Sequence, residues 1–255
     1  MKIVYLDTQI VIDHLDGLDA VETVAELRKR GLIFVYSPAH VEEIAKAHHA
    51  HQRGNLDVRV SHLAELTGEV AILPHETGPA VMRKEAIAKC LGRVQDGGGR
   101  EMTEFAVAFE RRRITSNKAS FYKTLPDKNK KAINNCLPSE IFSNMDICKY
   151  LEFMARTHNF RIRKDNFPGR QDTFETLFDT LNIFGYRAEH NSNRVENRVH
   201  DVSHAIYASY ADIFVTDDRK LSDSSKAVFH LLDIDVEVMD RAEFRKFGSE
   251  TRQAE

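Results

Sequence analysis

Short apolar runs lie near both ends of the chain, and stretches of helical periodicity separate them. Residues 3–6 and 32–36 are continuous runs rich in β-branched and aromatic side chains, and residues 213–216 and 236–239 are similar. Continuous apolar runs of this length are typical of strands buried on both faces of a parallel sheet. Because strands alternate with helical patterns, we expect an α/β fold with a mostly parallel central sheet flanked by helices.

Helices are predicted around these strands, among them a short one from about residue 221. One follows the first strand from about residue 10 to residue 30, with a break expected near Gly17. Ser37 and Pro38 open the next helix, because a serine side chain can cap a helix and proline is tolerated in the first turn. A third helix is predicted at 201–211, directly before the strand at 213–216.

The middle of the chain has a different pattern, with long helical periodicities and few runs that favour strands. We predict helices there at 81–95, 101–113, 138–157 and 172–184. The sequence therefore predicts an α/β core made of 1–53 and 195–255, interrupted by a mainly helical insertion at 54–194.

Composition agrees with a globular protein, since 42% of the 255 residues are hydrophobic and 29% are charged. No apolar run approaches the roughly 20 residues of a membrane-spanning helix, and the acidic Asp7 comes too early for a signal peptide. We therefore expect a cytoplasmic protein without a membrane partner. Because the three cysteines are widely separated, neither a disulfide framework nor a zinc ribbon is indicated.

Basic residues are concentrated in one segment, although the formal net charge of the chain is only -3. Residues 111–131 contain a single acid, Asp127, and the aromatic residues Phe121 and Tyr122. The basic residues of this segment are Arg111, Arg112, Arg113, Lys118, Lys123, Lys128, Lys130 and Lys131. Such a segment is either a solvated surface or a site that contacts nucleic acid.

Acidic residues follow two of the predicted strands. Asp7 comes directly after residues 3–6, and Asp217 and Asp218 come after residues 213–216. Asp201 begins the predicted helix before that strand, and a fourth candidate lies in the Glu42-Glu43 pair on the helix that Pro38 opens. Ligands of parallel sheets lie beyond the carboxyl ends of the strands, where these acids are expected. Clustered carboxylates repel one another unless a cation lies among them, and oxygen ligands favour Mg²⁺ or Mn²⁺ over zinc.

These residues resemble those of the PIN-domain nucleases. The stretch Leu-Asp-Thr-Gln-Ile-Val-Ile at 6–12 looks like the opening strand and turn of that family. The stretches at 201–206 and 211–221 are similar to its late helix and strand, where the helix starts with Asp and the strand ends in Thr, a variable residue and Asp. Residues 235–244 fit its last strand and helix. The resemblance covers about 1–50 and 196–247.

The resemblance implies metal-binding and catalytic roles for four acids. The helical Glu of the family has an apolar residue two positions before it and another directly after it, which favours Glu43 over Glu42. Helical phase does not separate the two, because with the apolar positions of this helix facing the core neither Glu points inward. The implied metal ligands are Asp7, Glu43, Asp201 and Asp218, with Asp217 as a reserve ligand.

The implied activity is Mg²⁺- or Mn²⁺-dependent hydrolysis of phosphodiester bonds, by an endoribonuclease that acts on RNA more than on DNA. Its setting would be that of a toxin, a defence enzyme or an RNA processing or decay enzyme. A neutralising antitoxin or another protein is a candidate partner, and so is a second copy of the chain. Substrate contacts are expected from Arg111, Arg112, Arg113, Lys118, Lys123 and His204.

Other interpretations stay open. Asp7 could stabilise a turn, and Asp201 and Asp218 could serve only as helix caps. A PIN-like scaffold that binds RNA or protein without catalysis is the main alternative. A phosphatase of the haloacid dehalogenase type is less favoured, because its Asp-x-Asp nucleophile motif would need an acid where this chain has Gln9.

Overall fold

A parallel sheet of four strands forms the centre of the protein. The structure is a computed structural model that describes residues 1–15, 21–51, 56–96, 127–187 and 195–250. The central strands are β1 (Lys2–Leu6), β2 (Leu32–Val35), β5 (Ile213–Val215) and β6 (Glu237–Met239). Their order is β2-β1-β5-β6, and all three pairings are parallel. The α/β class and the four predicted strands are therefore confirmed.

The strands are aligned so that their carboxyl ends share one edge of the sheet. Leu6 at the end of β1 pairs with Val215 at the end of β5, and Val215 also pairs with Met239 of β6. On the other side of β1, Tyr5 pairs with Val35. The residues that follow β1 and β5 must therefore emerge side by side.

Helices cover the sheet. Those described are α1 (Thr8–Leu15), α2 (Val21–Lys29), α3 (Pro38–His51), α4 (Leu56–Thr67), α5 (Ile87–Asp96), α6 (Asp127–Asn134), α7 (Met145–Thr157), α8 (Phe167–Ile183), α9 (Val195–Ala208), α10 (Arg219–Leu232) and α11 (Arg241–Glu250). Gly17, where a helix break is predicted, and the predicted helix at 101–113 both lie outside the described residues. Every helix in the described part of the chain is too short or too polar to cross a membrane.

Alternate residues of the strands face two separate hydrophobic clusters, as the period of a strand requires. Tyr5 and Phe214 lie on one face of the sheet, where Phe174 and Val228 of α8 and α10 pack in the same cluster. On the opposite face, Val4, Leu6 and Val215 belong to a cluster with side chains of the helices α2, α3, α4 and α11. The continuous apolar strands are thus explained by burial on both faces.

The middle of the chain contains two strands that the sequence analysis missed. The helix predicted at 81–95 is wrong in its first part, where β4 (Val81–Lys84) pairs antiparallel with β3 (Val70–Leu73). An isolated parallel bridge between Tyr36 and Ala71 places this hairpin next to β2. Residues 81–84 therefore form a strand because they pair with β3, although their local preference is helical.

Two further helices differ in their bounds from the predictions. The helix predicted at 138–157 is divided into a 3-10 turn (Ile141–Ser143) and α7, because Asn144 accepts a 3.0 Å hydrogen bond from the amide of Asp146 and caps α7. The helix predicted at 172–184 starts earlier, at Phe167. Its cap is Asn166, whose side chain accepts from the amide of Gly169.

The described residues within 54–194 pack into the same two clusters as the sheet. Ile72 and Leu177 belong to the cluster of Tyr5, whereas Leu63 and Ile87 belong to the cluster of Leu6. The division into a core and an insertion stays a prediction, but the middle segment contributes to the interior on both sides of the sheet.

Candidate active site

Two strand-end acids flank one buried hydroxyl at the carboxyl edge of the sheet. Asp7 follows β1, and its amide donates a 2.9 Å hydrogen bond to the carbonyl of Val215. Thr216 follows β5 and is only 1% exposed. Its Oγ1 donates to Oδ2 of Asp7 at 2.7 Å and accepts from the amide of Asp218 at 3.2 Å. Thr216 therefore links the two acids predicted for this edge.

Asp218 also has a structural role. It is the N-cap of α10, with Oδ1 accepting a 2.9 Å hydrogen bond from the amide of Leu221. The cap satisfies one of the helix amides that lack an intrahelical acceptor. A cap of this kind holds the carboxylate in a fixed position at the sheet edge, so the structural and the metal-binding interpretations of Asp218 are compatible.

Asp201 does not begin its helix. The described part of α9 starts at Val195, so Asp201 lies inside the helix and the prediction of a helix at 201–211 is wrong at its start. Burial raises the pKa of Asp201 to about 7, and the nearby carboxylates of Asp218 and Asp7 contribute to the increase. His204 and Lys220 oppose it through their positive charges. Asp201 is thus coupled electrostatically to both strand-end acids.

Asp7 is also affected by its surroundings. Burial raises the pKa of its carboxyl group, and the charge of Glu43 acts in the same direction. The charge of His204 and the hydrogen bond from Thr216 lower the pKa in part. A carboxylate that is partly buried and repelled by neighbouring acids has a favourable place for a cation beside it.

Glu43 reaches this site through His204. Oε2 of Glu43 lies 3.0 Å from Nε2 of His204, so α3 and α9 meet at this pair. The expectation that neither Glu points inward is therefore wrong for Glu43, whereas Glu42 is exposed. Burial alone would raise the pKa of Glu43, but the charge and hydrogen bond of His204 lower it to about 2. Burial likewise favours neutral His204, but Glu43, Asp7 and Asp201 raise its pKa to about 9.

A chain of buried polar side chains lies behind His204, and the sequence analysis did not find it. Nδ1 of His204 is 2.7 Å from the hydroxyl of Tyr5, which is 2.7 Å from Oγ of Ser37. Nδ1 of His40 accepts a 3.1 Å hydrogen bond from the amide of Ser37. Nε2 of His40 donates to the carbonyl of Leu6 at 2.7 Å. Ser37 therefore binds side chains of the interior, where a cap of α3 had been expected.

The protonation states of His40 and His204 determine which of these buried polar groups donate hydrogen bonds. Burial and the charge of His204 lower the pKa of His40 to about 3, so His40 is neutral at pH 7. Protonated His204 donates from both ring nitrogens, to Glu43 and to Tyr5, and the hydroxyl of Tyr5 then donates to Ser37. This ordered chain fixes the orientation of the imidazole that holds Glu43.

The predicted reserve ligand, Asp217, faces a different partner. Its Oδ1 accepts a 3.0 Å hydrogen bond from the amide of Arg241, and its Oδ2 lies 2.8 Å from the Arg241 guanidinium. The same guanidinium pairs with Asp13 of α1. Asp217 therefore connects β5 to the start of α11, which directs its carboxylate away from the role of a ligand.

The predicted substrate contacts are only partly described. Arg111, Arg112, Arg113, Lys118 and Lys123 lie outside the described residues. His204 is described, and it is 1% exposed with both ring nitrogens in hydrogen bonds. Its position is suited to orienting Glu43 from below the surface of the site.

The donor set of this edge matches a hard cation in chemistry but is not preassembled. The carboxylates of Asp7, Glu43, Asp201 and Asp218 offer oxygen ligands of the kind that Mg²⁺ and Mn²⁺ prefer. Within the described ranges, however, no group of three or more His, Cys, Asp or Glu side chains has the arrangement that could hold a metal ion. A shared ion would therefore require these side chains to turn toward one another.

Comparison with known proteins adds no further information on identity. No protein-family model matches the chain. Neither the curated proteins nor the solved structures contain a match. The sequence motifs and the geometry of the site are therefore the basis for assigning a function.

Proposed function

We propose that the chain is a Mg²⁺- or Mn²⁺-dependent nuclease that hydrolyses phosphodiester bonds, and that its substrate is RNA in preference to DNA. One observation carries the proposal: the strand-end acids Asp7 and Asp218 are joined through Thr216, near a half-buried Asp201 whose pKa both of them raise. Such an accumulation of carboxylates costs free energy unless it serves to bind a cation. The resemblance of the same residues to PIN-domain nucleases supports the choice of reaction.

In this proposal Asp7, Asp201 and Asp218 hold the dication. When bound, the ion supplies Lewis-acid polarisation of the phosphoryl oxygen and a water of lowered pKa. Thr216 fixes Oδ2 of Asp7, and the amide of Leu221 fixes Oδ1 of Asp218, so that both carboxylates keep a defined orientation. Because the attacking group is water, no covalent enzyme nucleophile is required.

Glu43 is assigned the role of binding and orienting the attacking water. Its pairing with His204 lowers its pKa to about 2, so the carboxylate is ionised at neutral pH and can accept a hydrogen bond from the attacking water. His204 and the buried chain behind it act as positioning residues for Glu43. The chemistry thus requires a fixed carboxylate, and the hydrogen bonds of the interior supply the orientation.

A non-catalytic scaffold that binds RNA or protein is the second candidate. The observation in its favour is that, in the described part of the chain, the acids are not already grouped as a three-ligand metal site. A scaffold of this kind would keep the fold of the site without cleavage, so the two candidates give different results in a cleavage assay.

The test uses labelled RNA and DNA of the same sequence, incubated with the wild type in Mg²⁺, Mn²⁺ or EDTA. We expect cleavage of RNA with either metal and none in EDTA. Asp218→Asn should reduce the rate at least roughly a hundredfold, as expected when a group that stabilises the transition state is lost. Asp217→Asn is the matched control, because Asp217 pairs with Arg241, and it should retain cleavage. Cleavage in EDTA, or undiminished cleavage by Asp218→Asn, would remove the proposal.

A further inference from the structure

A groove lies beside the acid site, between α10 and the start of α11. It encloses a volume of about 910 Å³ and includes Thr216 and Asp217 at one end. Arg219, Ser222 and Lys226 line it from α10 at spacings of three and four residues, which places them on one face of the helix. We call this cavity the α10–α11 groove.

The acids that line the α10–α11 groove are already engaged. Asp223 pairs with Arg187 at 2.7 Å, and Asp217 pairs with Arg241. Asp240 and Glu243 bind each other's amides at the start of α11, as in a capping box. Each of these carboxylates is therefore paired with an arginine or accepts a hydrogen bond from a backbone amide.

Within the described part of the chain, basic side chains of α10 that line the groove, Lys220 among them, have no ion pair of this kind. Arg219 and Lys226 have no carboxylate partner among the residues that the structure describes. Asp223 lies one turn from Arg219 but pairs with Arg187. Since Arg219 and Lys226 are seven residues apart in a helix, their Cα atoms are separated by about 10 Å along its axis. The groove therefore presents two separated positive charges.

The groove is continuous with the acid site. Thr216, which donates to Asp7, is part of the groove lining. Lys220 also lines the groove, and its charge acts on Asp201. A polyanion lying in the groove would therefore extend directly from the carboxylates.

The chemistry of the lining indicates what the groove can recognise. Ala242 is the only apolar residue in the described lining, and no aromatic residue lines it. Nucleic-acid bases bind proteins by stacking on aromatic rings and by hydrogen bonds to base edges, whereas phosphates bind to basic side chains. The lining favours phosphates.

We propose that the α10–α11 groove binds the phosphate backbone of RNA next to the bond to be cleaved, through Arg219 and Lys226 and without selection among the bases. The inference rests on the proposed function, because the acid site at the end of the groove determines that the polyanion is a nucleic acid. It differs from the prediction that residues 111–131 hold the substrate, since the groove is formed by the core of the fold.

Binding of short oligo(U) and oligo(A) RNA, measured by fluorescence anisotropy in EDTA, tests this inference. EDTA prevents metal-dependent cleavage, so affinity is measured independently of activity. The variants are Arg219→Gln, Lys226→Gln and their combination, each checked for an unchanged melting temperature. Lys89→Gln is the matched control, because Lys89 is an exposed lysine of α5 that does not line the groove.

We expect the double variant to bind both RNAs roughly tenfold more weakly, with an equal loss for oligo(U) and oligo(A). The slope of log affinity against log salt should become less steep by about 1.4, which is about 0.7 for each of two phosphate contacts. Lys89→Gln should change neither quantity. An unchanged affinity and slope in the double variant, or a loss no larger than that of Lys89→Gln, would overturn the inference.

Two further outcomes separate the groove from the nuclease. Wild type that binds RNA through Arg219 and Lys226 but never cleaves it supports the groove and contradicts the nuclease. Wild type that cleaves RNA while the double variant binds normally contradicts the groove alone. Polyglutamate that binds through the two basic residues when RNA does not would show that the groove accepts an acidic protein, and would also overturn the inference.

Discussion

The hydroxyl of Thr216 donates a 2.7 Å hydrogen bond to Oδ2 of Asp7, across 209 positions of the chain. The same hydroxyl accepts from the amide of Asp218. Because β1 and β5 are parallel neighbours, the two residues that follow them meet at one edge. One small buried hydroxyl thus sets the separation of the two strand-end acids of the site.

Removing this hydroxyl should affect both stability and the site. Thr216→Val keeps the shape of the side chain but leaves Oδ2 of Asp7 and the amide of Asp218 without this partner. We expect a loss of roughly 1 to 3 kcal/mol in the free energy of unfolding, and slower cleavage. Thr216→Ser keeps the hydroxyl and should recover most of both. Denaturant unfolding and cleavage rates measure the effect, and equal behaviour of the Val and Ser variants would contradict it.

The pair of Glu43 and His204 should make stability depend on pH. The raised pKa of His204 contributes stability that is fully present below pH 6.5 and is lost as the pH rises through about 9. The lowered pKa of Glu43 contributes stability that is complete above 4.5 and lost as the pH falls through about 2. The pair is therefore fully effective between pH 4.5 and 6.5.

Glu43→Gln tests this dependence by unfolding in EDTA across the pH range. We expect a destabilisation of roughly 1 to 3 kcal/mol near pH 5.5 that decreases toward pH 9 and above. Glu152→Gln is the control, because Glu152 is an exposed residue of α7 whose ion pair with Arg156 is also exposed, and its effect should be much smaller. A loss that is the same at every pH would show that the ion pair is not its cause.

Asp201 should destabilise the protein at neutral and alkaline pH when no metal is present. Its pKa is raised from 3.8 to about 7. The group therefore does not destabilise the fold below pH 3.8, and stability decreases as the pH rises through about 7. Asp201→Asn removes the charge and should raise the melting temperature in EDTA at pH 8 by several degrees, for a gain of roughly 2 kcal/mol. Near pH 4 the variant and the wild type should have the same melting temperature. Asp235→Asn, at an exposed position, is the control, and a lower melting temperature of Asp201→Asn at pH 8 would contradict the coupling.

Arg241 should contribute more to stability than an exposed ion pair. Its guanidinium is 18% exposed and pairs with Asp13 of α1 and Asp217 at the end of β5. Arg241→Gln leaves two carboxylates without this partner, and we expect a loss of roughly 2 kcal/mol or more. Lys2→Gln removes a pair with Glu237 in which both side chains are about half exposed, and its cost should stay below about 1 kcal/mol. Chemical denaturation of the two variants compares them, and equal losses would contradict the assigned role of Arg241.

The strands and the acids at their ends could be predicted from the sequence, because both depend on local patterns. Residues 3–6 and 213–216 are continuous apolar runs, and parallel pairing places Asp7 and Asp218 at one edge without further information. β4 could not be predicted in this way. Met82, Arg83 and Lys84 favour a helix locally, and the strand conformation of β4 comes from its pairing with β3.

The buried chain behind Glu43 could not be predicted either. Tyr5 is one of a run of apolar strand residues, and His204 is 199 positions away, so nothing local indicates that they form a 2.7 Å contact. A weak signal was present, since polar or titratable groups at Tyr5 and His40 lie among positions that face the core. Such groups are normally buried only with hydrogen-bond partners. The start of α9 was missed because an acid is a good helix cap, yet Asp201 lies inside the helix.

The central claim is that Asp7, Asp201 and Asp218 bind one dication, and the melting temperature with and without Mn²⁺ tests it most directly. At pH 8 and a Mn²⁺ concentration about 100 times the dissociation constant, the wild type should gain about 2.7 kcal/mol, which raises its melting temperature by several degrees. Asp7→Asn should show little or none of this increase. A wild type that melts at the same temperature in Mn²⁺ and in EDTA would contradict the account.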